Sequence, residues 1–90
     1  VYKYETNINN ENVMVEYDQN IKNLTIITEN NKIIYDDQAK NIVVLENNMD
    51  SYNKLIVFDV KSDSCIYGDC QKHYNFIDDF NSNYKYMIEN

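Results

Sequence analysis

The chain has no proline, no arginine and a single glycine, Gly68, and these gaps narrow its chemistry before any pattern is read. Loops that cradle phosphate need several glycines so that backbone N–H groups can converge on the anion; one glycine cannot build such a loop. Without arginine there is no bidentate grip on a phosphate or carboxylate ligand. Fifteen carboxylates against eight lysines leave a net charge of −7, which repels nucleic-acid backbones and anionic membranes. No apolar run approaches the roughly 18 residues that a spanning helix requires, so no membrane insertion is expected. The residues begin at Val1 rather than Met, which reads as a processed product or an excised domain.

Asparagine and tyrosine fill the space. There are sixteen Asn, and nine of the twelve aromatic residues are Tyr. Asn tolerates positive φ, so it is expected to do in the turns what glycine usually does. At 43% apolar the chain has enough sticky surface for one core, and 1–90 reads as a single small β-rich domain.

Five short apolar runs between residues 13 and 60 alternate with Asn- and Asp-rich gaps, the pattern of a meandering sheet. A segment repeats without a gap: residues 17–27, beginning Tyr17-Asp18, align with 35–45, beginning Tyr35-Asp36, and Lys and Asn coincide further on. An offset of 18 residues matches two strands and two turns, so the repeat marks successive hairpins. Strands are expected over 1–5, 13–17, 24–28, 32–36, 42–46 and 55–60, with a tight connection at Glu29-Asn30-Asn31 and long polar gaps at 7–12 and 47–53. From Asp69, taken as N-cap, the spacing of Tyr74, Ile77, Phe80 and Tyr84 predicts a helix near 70–81, and 84–88 alternates as a last strand. The fold class is mainly β (α+β): a small antiparallel meander or sandwich of about six or seven short strands with one helix.

The strands over 42–46 and 55–60 are apolar on both sides, through Ile42/Val44 and Val43/Leu45 and through Ile56/Phe58 and Leu55/Val57. A sheet with one wet face alternates apolar and polar residues, so both faces of these strands are expected to be covered. The helix supplies one cover; a barrel closed on itself or a partner protein would supply it otherwise.

Cys65 and Cys70 enclose four residues, including the only glycine, and in an oxidising compartment they are expected to form a disulfide. Adding His73 gives a C-x4-C-x2-H spacing, three of the four ligands of a structural zinc site; Asp69 or Asp78 would have to complete it. No cofactor is expected. Cys65 or Cys70 with His73 is the sole nucleophile–base couple, with nothing to orient it and no oxyanion donors, and the adjacent pairs Asp36-Asp37 and Asp78-Asp79 read as solvated. An enzyme is therefore not expected. Asn23-Leu24-Thr25 is the one N-glycosylation sequon.

The functional expectation is a non-enzymatic interaction module of a secreted or surface protein, presenting a β-sheet surface and an acidic face to another protein. Tyr52 and Tyr67 offer amphipathic contact area, and Val43, Leu45, Ile56 and Phe58 offer apolar area. An apolar sheet face or an edge strand also gives a route to oligomers. The alternative is a small acidic inhibitor, an immunity protein or nucleic-acid mimic, blocking a basic site on an enzyme. That reading rests on charge and allows a cytoplasmic location.

Overall fold

The computed structural model describes residues 1–8 and 10–85. Seven antiparallel strands, β1 (Tyr2–Ile8), β2 (Glu11–Asp18), β3 (Asn23–Ile27), β4 (Asn31–Asp36), β5 (Asn41–Asn48), β6 (Ser51–Asp59) and β7 (Ser64–Gly68), lie side by side in sequence order. Among the described residues each pairs only with its chain neighbours, which leaves β1 and β7 at the two edges of the sheet and does not close them on each other. A short helix, α1 (Tyr74–Asp79), runs directly into a π-helical turn (Phe80–Tyr84).

The sequence repeat is a turn, and it occurs three times. Asp18 pairs with Asn23, Asp36 with Asn41 and Asp59 with Ser64, each pair closing a four-residue connection. In each case the Asp carboxylate turns back on the connection. Asp18 Oδ1 accepts from the Asn20 N–H at 3.0 Å. Asp36 Oδ1 accepts from the Gln38 and Ala39 N–H groups at 2.9 and 3.1 Å. Asp59 Oδ2 accepts from the Ser62 hydroxyl at 2.5 Å. Such Asx contacts preorganise a turn without glycine. The residue before the returning strand is left-handed every time: Lys22 at φ 55°, Lys40 at 57° and Asp63 at 55°. The third copy, Phe58-Asp59 to Asp63-Ser64, escapes the sequence comparison because Lys-Asn becomes Asp-Ser.

Asparagine's expected role in these bends is therefore corrected: of the described non-glycine residues with positive φ, only Asn10 is an Asn. Nor does the connection at Glu29-Asn30 need positive φ. Thr28 closes it, its N–H donating to the Asn31 carbonyl at 2.9 Å and its Oγ1 accepting from the Asn31 N–H at 3.0 Å. Neighbouring turns are tied together as well. The Asp37 N–H donates to the Lys22 carbonyl, the Val60 N–H to the Lys40 carbonyl, and at the opposite end the Asn47 N–H to the Asn30 carbonyl. Lys40 Nζ donates to Asp37 at 2.7 Å, and this contact holds the Asp37 carboxyl below its ordinary pKa.

One face of the sheet carries the core. Val13, Val15, Leu24, Ile26, Ile33, Tyr35, Ile42, Val44, Ile56 and Phe58 point inward, and Ile77, Phe80 and Tyr84 cover them. Phe80 is 1% exposed with its ring 4.4 Å from that of Tyr35. Packing drives this helix, since six residues of α1 are too few to be stable alone. The wider π-helical turn lets the chain bury both Phe80 and Tyr84.

Several boundaries differ from expectation. The gaps at 7–12 and 47–53 are mostly strand, because β1–β2 and β5–β6 are long hairpins whose polar ends are held by ladder hydrogen bonds. The segment from Ser64 to Gly68, outside every strand expected from the sequence, is an edge strand. Asp69 is not the helix N-cap; His73 holds that position without a side-chain bond, and Asp69 Oδ1 instead accepts from the Lys72 N–H at 3.1 Å. Tyr84 belongs to the π-helical turn, and the rest of the expected strand at 84–88, apart from Lys85, lies outside the described residues.

Candidate functional site

Apart from the irregularities at Leu55 and Ile66, the pairing register assigns the strand residues to faces. Opposite the helix, one row crosses the sheet as Lys3, Glu16, Thr25, Ile34, Val43, Val57 and Tyr67. The next row reads Glu5, Met14, Ile27, Lys32, Leu45 and Lys54. A third, at the hairpin ends, is the polar series Asp18, Asn23, Asp36, Asn41, Asp59 and Ser64. The centre of this face is a stripe of Met14, Ile27, Ile34, Val43, Leu45 and Val57. All are partly exposed or exposed, and none is packed against the helix-side core. Among the described residues no element lies over this stripe, so of the two covers expected for strands β5 and β6 only the helix is present.

Lysines and tyrosines frame the stripe. Lys32 Nζ stands 5.3 Å from the Tyr52 ring centre and Lys54 Nζ 5.2 Å from that of Tyr67. Each ammonium lies over an aromatic face, and in the ladder both lysines stand opposite Leu45 while Tyr67 stands opposite Val57. The carboxylates of this face lie at its margins, Asp18, Asp36 and Asp59 at the hairpin ends and Glu5 and Glu16 on the β1–β2 flank, while Asp37, Asp50 and Asp63 sit in the turns and Asp78 and Asp79 on the helix.

The structure thus separates the residues singled out in the sequence. Val43, Leu45, Tyr52 and Tyr67 share the open face. Ile56 and Phe58, expected beside them, are 0% and 6% exposed and lie under the helix, where no partner can touch them. The cause is an extra residue, Leu55, opposite the Val44–Leu45 step; it turns Ile56 and Phe58 inward while Val57 stays outside. Asn23 is the first residue of β3, partly buried, with Oδ1 shielded from solvent and without a hydrogen-bond partner among the described residues.

Cys65 and Cys70 form the disulfide, with Cα atoms 5.9 Å apart. It fastens β7 to the segment that leads into α1, and Cys70 itself is buried on the helix side. Both sulfurs are consumed, so the Cys65, Cys70, His73 arrangement has no thiolate to offer zinc. Gly68 makes the close approach possible. At φ 77° its backbone passes so near β6 that a β-carbon would run into the Leu55 carbonyl oxygen.

A cleft of about 340 Å³ opens between α1, the π-helical turn and the ends of β1 to β4. Ile26, Ile33 and Phe80 floor it, and Glu11, Asp79 and Tyr84 provide its ionisable groups. Burial, and then the nearby charges of Asp79, Tyr4 and Glu11, push the Tyr84 hydroxyl above its ordinary pKa. Among the described residues that line the cleft, the hydroxyls are those of Thr28 and Tyr84 and the carboxylates those of Glu11 and Asp79. No protein-family model, curated protein or solved structure matches the chain.

Proposed function

We propose that the chain is a non-enzymatic interaction module whose working surface is the open sheet face. The observation that carries this reading is the stripe from Met14 to Val57, apolar across five strands and covered by none of the described elements, on the sheet whose other face is packed as a core. A contiguous apolar patch of this kind, rimmed by polar side chains, is the usual mark of a protein contact. Tyr52 and Tyr67 supply ordered aromatic area at its border, held by Lys32 and Lys54. The Cys65–Cys70 disulfide favours an oxidising setting, hence an extracellular or cell-surface location. With the turn carboxylates at the ends of the strands, the acidity forms the margin of the surface rather than its centre. That margin supports contact with a partner bearing lysine or arginine around an apolar centre.

A photo-crosslinking amino acid in place of Val43, compared with the same group in place of Asp78 on the helix, tests the proposal in the medium or extract of the producing cells. Position 43 is expected to give discrete protein adducts well above the yield from position 78. Equal, low yields from both positions would remove the basis for the reading.

A further inference from the structure

We propose that the cleft on the helix side binds a small organic cation, an ammonium group carried on an apolar body. This site is separate from the open face, since the cleft lies across the sheet from it, beside α1 and the π-helical turn. Its floor is apolar, with Ile26, Ile33 and Phe80 all buried. Its ionisable groups come from three different elements: Glu11 opens β2, Asp79 closes α1 and Tyr84 closes the π-helical turn. Among the described residues no lysine lines the cleft, and neither Glu11 nor Asp79 has an ammonium within ion-pair distance. Tyr84 gives a second, independent sign of a ligand. Its side chain is 6% exposed and lines the cleft, and its hydroxyl has no hydrogen-bond partner among the described residues. Buried tyrosine hydroxyls are ordinarily paired, so an unpaired one in a cleft marks a place for a ligand's polar group. The charges of both Asp79 and Glu11 reach this hydroxyl, so the three groups face one space.

Charge and shape select the ligand together. An ammonium brings three donors and no acceptor, and the cleft offers two carboxylates and a hydroxyl oxygen to receive them. A carboxylate or phosphate would meet two like charges instead. The net charge of −7 also draws cations to the surface before contact. A bare cation would leave the apolar floor wet, whereas a hydrocarbon body covers it and gains from the burial. The volume of about 340 Å³ is at the lower end for small-molecule sites. It suits a ligand of roughly 10 to 15 non-hydrogen atoms.

The test is an NMR titration of the isotope-labelled, disulfide-intact chain with phenylbutylammonium at neutral pH, where an alkylamine is protonated. Amides of Glu11, Phe80 and Tyr84 should shift saturably, with half-saturation between about 0.1 and 10 mM for a ligand of this size. Phenylbutanol, which keeps the body and lacks the charge, should bind at least about tenfold more weakly. Methylammonium, which keeps the charge and lacks the body, should lose at least about as much. Phenylbutyrate should give no saturable shift in the cleft. Glu11→Gln and Asp79→Asn should each weaken phenylbutylammonium about threefold or more, and together bring it to the level of phenylbutanol. Circular dichroism of each variant separates a lost site from a lost fold. No saturable shift around the cleft, equal binding of phenylbutanol, or unchanged affinity in the folded double variant would each overturn the inference. Shifts confined to the turn carboxylates Asp18, Asp36 and Asp59 would do the same. None of these outcomes touches the open face, which the adducts from position 43 test on their own.

Discussion

Truncating Phe80 should cost several times more stability than truncating Val43, and the comparison tests which face is the core. Phe80 is 1% exposed, lies against Tyr35 and closes the helix onto β4. Removing its ring leaves a cavity that a six-residue helix and a sheet cannot both collapse to fill, so Phe80→Ala should cost about 3–5 kcal/mol. A chain of this length has about 0.05–0.15 kcal/mol per residue to lose, roughly 5–13 kcal/mol in all. Val43 is partly exposed in the lone chain, with sheet neighbours only, so Val43→Ala should cost about 0.5–1 kcal/mol. The assay is urea denaturation followed by far-ultraviolet circular dichroism or tyrosine fluorescence, at about 1 µM so that association does not contribute. With a slope of about 1 kcal/mol per molar urea, the midpoint should fall by about 3 M or more for Phe80→Ala and by 1 M or less for Val43→Ala. Equal losses would mean that the monomer buries both faces, and the open-face argument would fail.

Other outcomes follow from the turns, the disulfide and the cleft. Gly68→Ala should detach β7 from β6, visible as fast amide exchange over Ser64–Gly68 while β2 to β5 stay protected. Lys22→Gly should stabilise the chain by about 0.5–1 kcal/mol in the same urea assay, because glycine relieves the left-handed backbone. Lys40→Gly should gain less, since it also removes the Asp37 ion pair. Alkylation and mass spectrometry should find no free thiol before reduction, and Cys65→Ser with Cys70→Ser should lower stability by about 2 kcal/mol at most, the chain-entropy value for so short a loop. The Tyr84 hydroxyl has a folded pKa above its unfolded one, so its contribution is complete below about pH 10 and is lost as pH rises through the folded value. Alkaline unfolding should therefore shift to higher pH in Tyr84→Phe.

How much of this could be read from the residues depends on the range of the interaction involved. Strands β2 to β6 announce themselves because period-two hydrophobicity and Asx turns act within a few residues. The same holds for the disulfide, whose partners are five residues apart. Edge strand β7 was hidden because its identity comes from pairing with β6 and from the fit of Gly68 against Leu55, neither of which has a local signature. The third turn was missed for a different reason: the geometry needs an Asp and a tolerated left-handed residue, and Asp63-Ser64 meets that need with other letters. At the candidate site, Val43 and Leu45 were legible as apolar and Tyr52 and Tyr67 as amphipathic. Their common placement on the open face, apart from Ile56 and Phe58, was not.

The amino-acid order alone settles that there is a hairpin meander, where most of its bends fall and that β5 and β6 are apolar on both sides, because these are short-range consequences of side-chain type. It does not say which side becomes the interior. When two alternating sets are both apolar, local preference is degenerate. The choice falls to the tertiary contact that buries more: Phe80, Ile77 and Tyr84 folding back on the side of Val15, Ile26, Tyr35, Ile42 and Val44. One bulge at Leu55 then assigns Ile56 and Phe58 to that interior and leaves Val57 with Val43 and Leu45 outside.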